Sequence, residues 1–146
     1  MFLGQYSHSL DDKGRLTIPV VYRDGISEGA VISQGFDKNL MVMSNSYFEM
    51  VSKRLDAMNL IDPATRLLRR MIMSTAFQVE IDKNGRVLVP THHRQFLGGA
   101  NELVLVGQGP YFEIWTPEFW AEQSANINYV EANTQRFAAL DLSAKE

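Results

Sequence analysis

The chain has 146 residues, 45% of them apolar, with no cysteine and a formal net charge of −3. That length suits one compact domain or two small halves sharing a core. Without cysteine, disulfides, thiolate metal sites and cysteine nucleophiles are excluded, which fits a reducing cytoplasm. No apolar run reaches the roughly 18–20 residues that a bilayer requires, and the start MFLGQYSHSL reads as no signal peptide.

Tyr6, His8 and Leu10 alternate, the period of a strand. The polar string Asp11–Asp12–Lys13–Gly14–Arg15 follows, then a second alternating run with Leu16 and Ile18, ended by Pro19. A short helical turn is expected over 20–26. Strand, glycine turn and strand are expected over 30–43. A helix follows, with Ser46 and Glu49 spaced as a capping box. A middle helix starts after Asp62 and Pro63. Its Leu67, Leu68, Met71 and Ile72 supply an apolar side, opposite Arg66, Arg69 and Arg70.

The order then repeats. Phe77, Val79 and Ile81 lead into Asp82–Lys83–Asn84–Gly85–Arg86, and Val87 and Val89 into Pro90. Asp11 and Asp82, Gly14 and Gly85, Arg15 and Arg86, and Arg23 and Arg94 all stand 71 residues apart. A further short helix is expected over 91–97, a strand pair over 102–115, and a helix capped by Thr116 with Pro117 next. Residues beyond about 125 show weak periodicity. The spacing predicts an α+β fold of two pseudo-twofold units built around one shared β core. Its segments are 1–60, a connecting helix within 61–76, 77–124, and a tail from 125 to 146.

Each polar string reads as a tight turn, with Gly14 or Gly85 free to take positive φ. Asp11 and Asp82 suit hydrogen bonds from their own turn's backbone. Arg15 and Arg86 can each pair with the aspartate of the same copy or of the other. One reading stops there, at a structural turn. The other uses the cations that the turns present. Lysine meets phosphate as a point charge, and the arginine fork matches guanine in the major groove. Lys13, Arg15, Lys83 and Arg86, on paired tips, would then enter a groove as a β-ribbon does. The lysine is offset by one position between copies, so the two tips are not equivalent.

With those residues in view, the sequence is similar to the MraZ family of bacterial transcriptional regulators. The resemblance runs from MFLGQYSHSLDDKGRLTIP through RLLRRMIMSTAFQVEIDKNGRVLVP to ELVLVGQGPYFEIW, with the paired Asp-x-x-x-Arg motifs as its hallmark. It implies tandem AbrB-like swapped-hairpin units with a barrel-like β core and flanking helices. It also implies binding to short G-rich direct repeats in double-stranded DNA, upstream of the division and cell-wall gene cluster and including the protein's own promoter. Ring-shaped homo-oligomers and a cytoplasmic, nucleoid-associated location are implied as well. By motif position, Arg15 and Arg86 would contact DNA, supported by Lys13 and Lys83, with Asp11, Gly14, Asp82 and Gly85 shaping the turns. A ring would gather the loops into a positive surface although each chain is net acidic.

No enzyme, cofactor, metal or small-molecule substrate is expected. His92 and His93 are adjacent and diverge on either a helix or a strand, and GQGPYF lacks the spacing of a phosphate loop. Arg66, Arg69 and Arg70 suit a solvated face, a neighbouring subunit's acidic residues, or phosphate. A different class of function stays open: an oligomeric interaction or scaffold module whose loops bind an acidic protein partner.

Overall fold

The structure, a computed structural model, describes residues 1–143. The first half runs β1 (Gln5–Ser9), β2 (Arg15–Thr17), α1 (Val20–Arg23), a single 3-10 turn, β3 (Ala30–Gln34), β4 (Leu40–Ser44) and α2 (Asn45–Asp56). The connecting helix is α3 (Pro63–Thr75). The second half repeats the order with β5 (Phe77–Val79), β6 (Arg86–Leu88), α4 (Thr91–Phe96), β7 (Glu102–Gly107), β8 (Tyr111–Trp115) and α5 (Pro117–Asn128), and adds α6 (Val130–Arg136).

The strands exchange partners between the halves. One antiparallel sheet has the order β1-β7-β8-β4-β3-β5, and a two-stranded ribbon joins β2 to β6. With β5 the counterpart of β1, and β7 and β8 those of β3 and β4, that order reads the same from either edge. The sequence duplication thus becomes a pseudo-twofold axis between β4 and β8. Strands β1 and β2, although consecutive, share only the bridge Leu10–Leu16, and Ile81–Val87 is its matched counterpart. Each polar turn therefore carries the chain from one sheet to the other.

The core lies between the sheets. Leu16, Ile18, Val87 and Val89 on the ribbon pack with Ile32, Val42, Leu103, Leu105, Phe112 and Ile114 of the large sheet. The alternation of Leu16 and Ile18 turns both inward from the ribbon, and β3, β4 and β7 are buried on both faces along most of their length. Such strands read as continuous apolar runs because helices or the other sheet cover them.

Helix starts follow the expected chemistry with one correction. Asp62 caps α3 and Thr116 caps α5, each side chain accepting a backbone N–H of the first turn. The cap of α2 is Ser44, whose Oγ accepts the Tyr47 N–H at 3.2 Å, and not Ser46. Strand β4 runs straight into the helix, so the cap falls two residues earlier than the capping-box spacing suggests. Pro19 and Pro90, which end the ribbon strands, stand one residue before α1 and α4 with extended ψ. The tail forms helix through Arg136, and its residues 144–146 lie outside the described residues.

Candidate nucleic-acid interface

The two Asp-x-x-x-Arg strings fold into near-identical turns. In the first, the Asp11 N–H donates to the Arg15 carbonyl at 2.9 Å and the Gly14 N–H to the Asp11 carbonyl at 3.0 Å. Asp11 Oδ1 accepts the N–H groups of Lys13 and Arg15 at 3.0 and 2.8 Å, while Oδ2 accepts Arg15 Nε at 2.6 Å. In the second, Asp82 Oδ1 accepts the N–H groups of Asn84 and Arg86 at 2.8 and 3.0 Å, and Oδ2 accepts Arg86 Nε at 3.1 Å. Gly14 and Gly85 hold φ of 81° and 76°, a region closed to most L residues.

These bonds hold both aspartates ionised. The Asp11 carboxyl lies below its ordinary 3.8, chiefly through the Arg15 backbone N–H, with the Arg15 side chain and the Lys13 N–H adding to it against partial desolvation. Asp82 is lowered in the same way, first by the Arg86 backbone N–H.

The ribbon brings the turns together. Ile18 N–H donates to the Gly85 carbonyl at 2.8 Å and Val89 N–H to the Gly14 carbonyl at 3.0 Å, so each turn is tied to the strand that leaves the other. Arg86 Nη1 also reaches Asp11 Oδ2 at 3.9 Å. Both alternatives left open for the arginines are thus realised: each pairs with its own aspartate, and Arg86 also approaches the aspartate of the other copy.

Two residues that sequence reasoning left out of the site complete it. Arg23 donates from Nε to the Ile18 carbonyl at 2.9 Å, and its guanidinium lies over Gly85 so closely that a Cβ there would collide with it. Arg94 donates from Nε to the Val89 carbonyl at 3.1 Å and covers Gly14, where a Cβ would lie 2.7 Å from its Cζ. Each arginine thus locks the turn of the opposite copy. Their 71-residue match was the available signal, but only the strand exchange shows which turn each one meets.

The pairing uses little of the guanidinium chemistry. Arg15 and Arg86 engage their aspartates through Nε, and their side chains stay 30% and 27% exposed. Among the described residues neither Arg15 Nη makes a hydrogen bond. Lys13 and Lys83 are exposed. An arginine has five N–H donors in a fixed fork, so both side chains keep donors for a ligand while their carbon stems are held.

The histidines do not form a site. His93 is fully buried and its Nε2 lies 2.7 Å from the Thr75 carbonyl, which joins α4 to the last turn of α3. His92 is exposed and stacks on Phe77. Arg66 binds the Leu60 and Ile61 carbonyls and Arg69 pairs with Asp56, both away from the turns.

The sequence model of the MraZ protein family matches the chain twice, over residues 1–71 and 72–141. The chain belongs to the MraZ family. Relatives named transcriptional regulator MraZ bear this out over nearly full length. Those of Roseiflexus sp. (strain RS-1) and Roseiflexus castenholzii are each 38% identical over 138 residues, covering 94% of both chains. That of Leuconostoc citreum is 34% identical over 86% of this chain and 87% of its own. MraZ is a family of transcriptional regulators and not of enzymes. Each match contains one of the two Asp-x-x-x-Arg turns, and the boundary between them falls inside α3. No helix among the described residues is long and apolar enough to cross a membrane.

Proposed function

We propose that this chain is a sequence-specific DNA-binding transcriptional regulator that uses the two Asp-x-x-x-Arg turns as one two-pronged reader. The observation that carries this reading is the junction of the turns. Arg15 and Arg86 are braced by Asp11 and Asp82 and coupled through the ribbon, yet both keep donors exposed beside Lys13 and Lys83. Arg15 and Arg86 read guanine edges, and Lys13 and Lys83 meet phosphate. Arg23 and Arg94 position the opposite turn.

The target is short G-rich direct repeats in the promoter of the division and cell-wall gene cluster, which includes the protein's own. The protein acts in the cytoplasm at the nucleoid, as a homo-oligomeric ring built from repeats 1–60 and 77–124, the connector 61–76 and the tail from 125. Several loop pairs per ring add weak contacts into tight binding through effective concentration.

Competition tests this. A labelled fragment from upstream of the protein's own gene is bound, then challenged with unrelated DNA of equal length at fixed salt. The own-promoter fragment is expected to be held roughly 10³-fold or more tighter. Equal competition would overturn sequence reading and favour an acidic protein partner for the loops.

A further inference from the structure

The outer face of the large sheet is finished differently in the two halves. Met41 and Glu113 pair directly across β4 and β8 and stand 72 residues apart, so the pseudo-twofold axis passes between them. Two residues further along, Met43 is therefore the counterpart of Trp115. In the second half that position closes the face with rings. Trp115 packs on Val104 and Val106 together with Phe119 and Trp120, and the two tryptophan rings lie 5.8 Å apart. Both indole N–H groups are satisfied, Trp115 by Glu113 at 3.0 Å and Trp120 by Gln5 at 2.8 Å.

The first half leaves a hole at the matching place. Met41 and Met43 are buried, yet neither belongs to the core between the sheets. Both line a cavity of about 220 Å³ on the outer side. Tyr47 and Val51 of α2, Ile72 of α3 and Tyr111 of β8 line it as well. So does Phe36, in the turn between β3 and β4, which is itself 68% exposed. Phe48, the counterpart of Trp120, does not line it. The cavity thus lies where methionine stands in place of an indole.

The lining sets the chemistry of what can enter. Apolar cavities of this size take up a single small aromatic molecule, and methionine side chains adapt to the shape they meet. Tyr47 and Tyr111 stack with centroids 5.9 Å apart, so one aromatic pair already stands in the wall. No charged side chain lines the cavity. Burial raises the Tyr111 pKa, and the charges of Glu113, Tyr47 and Asp37 add to it. An anion would meet those carboxylates and no counter-charge. We propose that this cavity binds a small neutral aromatic molecule of about the size of indole, seated on Met41 and Met43. Its ring takes the part that Trp115 plays in the other half. Binding there needs no DNA, so it stands or falls independently of what the turns read.

The test follows the full chain by NMR, with isotope-labelled methionine methyl groups and indole itself as the probe. The Met41 and Met43 signals are expected to shift saturably as indole is added, while those of the exposed Met1 and Met58 stay in place. Two variants fill the cavity from the chain. Met43→Trp supplies the ring that the other half carries, and Val51→Phe narrows the space from a half-buried position on α2. Each variant that keeps a cooperative melt is expected to lose the saturable Met41 shift, and the milder Val51→Phe serves if Met43→Trp does not fold. Benzoate, a ring of similar width with a negative charge, is expected to leave Met41 and Met43 unmoved, because a buried unpaired charge is costly. The inference is overturned if neither methionine shifts saturably in wild type, or if Met1 and Met58 shift as much as they do. It is equally overturned if a folded filling variant keeps the Met41 response, or if benzoate binds as tightly as indole.

Discussion

The inner and outer layers of the two halves obey different rules. Inside, Asp11 and Asp82, Gly14 and Gly85, and Arg23 and Arg94 occupy matched places with matched partners, because each turn must satisfy the other half's backbone as well as its own. Outside, α3 has buried residues whereas α6 has none. Duplication is kept where a hydrogen-bond network crosses between the copies, and it lapses where a helix faces only solvent or another molecule. Even within the turns a small break exists, since among the described residues Asp11 is approached by both arginines and Asp82 only by its own.

That contrast can be broken most strongly in the core. Leu16→Ala removes a fully buried ribbon side chain and is expected to cost roughly 2–5 kcal/mol, read as a lower urea midpoint at unchanged slope. Ile72→Ala beneath α3 should fall in the same range, whereas Val130→Ala on α6 should stay within about 0.5 kcal/mol of wild type. A large loss from Val130→Ala in a monomeric sample would contradict the outer-layer asymmetry. Gly85→Ala combines positive φ with the Arg23 guanidinium and should cost roughly 1–3 kcal/mol. Adding Arg23→Ala should restore part of the loss, the part that comes from the collision.

The smallest effect is a pH dependence. Burial lowers the His93 pKa below 6.5, against the Thr75 carbonyl contact. The folded state therefore favours neutral His93, and this contribution is complete above pH 6.5 and lost as pH falls through the folded value. Asp11 and Asp82 follow the same sign lower down: their contribution is complete above 3.8 and lost as pH falls through their depressed values. Chemical unfolding of wild type should weaken first below pH 6.5 and again below pH 4. In His93→Gln the first step should vanish while the second stays.

Much of this organisation was legible in the chain. The 71-residue spacing exposed the duplication, the alternation of Leu16 and Ile18 placed the ribbon's buried face, and Asp62 and Thr116 marked helix starts because a cap is a local bond. The α2 cap was misplaced at Ser46, since a strand running directly into a helix leaves no loop residue to betray the boundary. The roles of Arg23 and Arg94 were not legible. A side chain that crosses to the other repeat leaves no trace in local periodicity, and only the exchanged pairing of β2 with β6 brings each arginine over the opposite glycine. His93 was hidden for a similar reason: its partner Thr75 belongs to the helix between the repeats.

The central claim is that the two turns act together as one reader while the fold survives without either arginine's tip. It is tested most directly by titrating the DNA upstream of the protein's own gene, at stated salt, with wild type, Arg15→Ala, Arg86→Ala and the double variant. Each single change should weaken specific binding by roughly 1–3 kcal/mol per lost base contact, and more through multivalency. The double variant should lose specific binding altogether while keeping a cooperative melt. Unchanged binding by the double variant, or loss of its melt, would reduce the duplicated turns to a structural device and contradict the account.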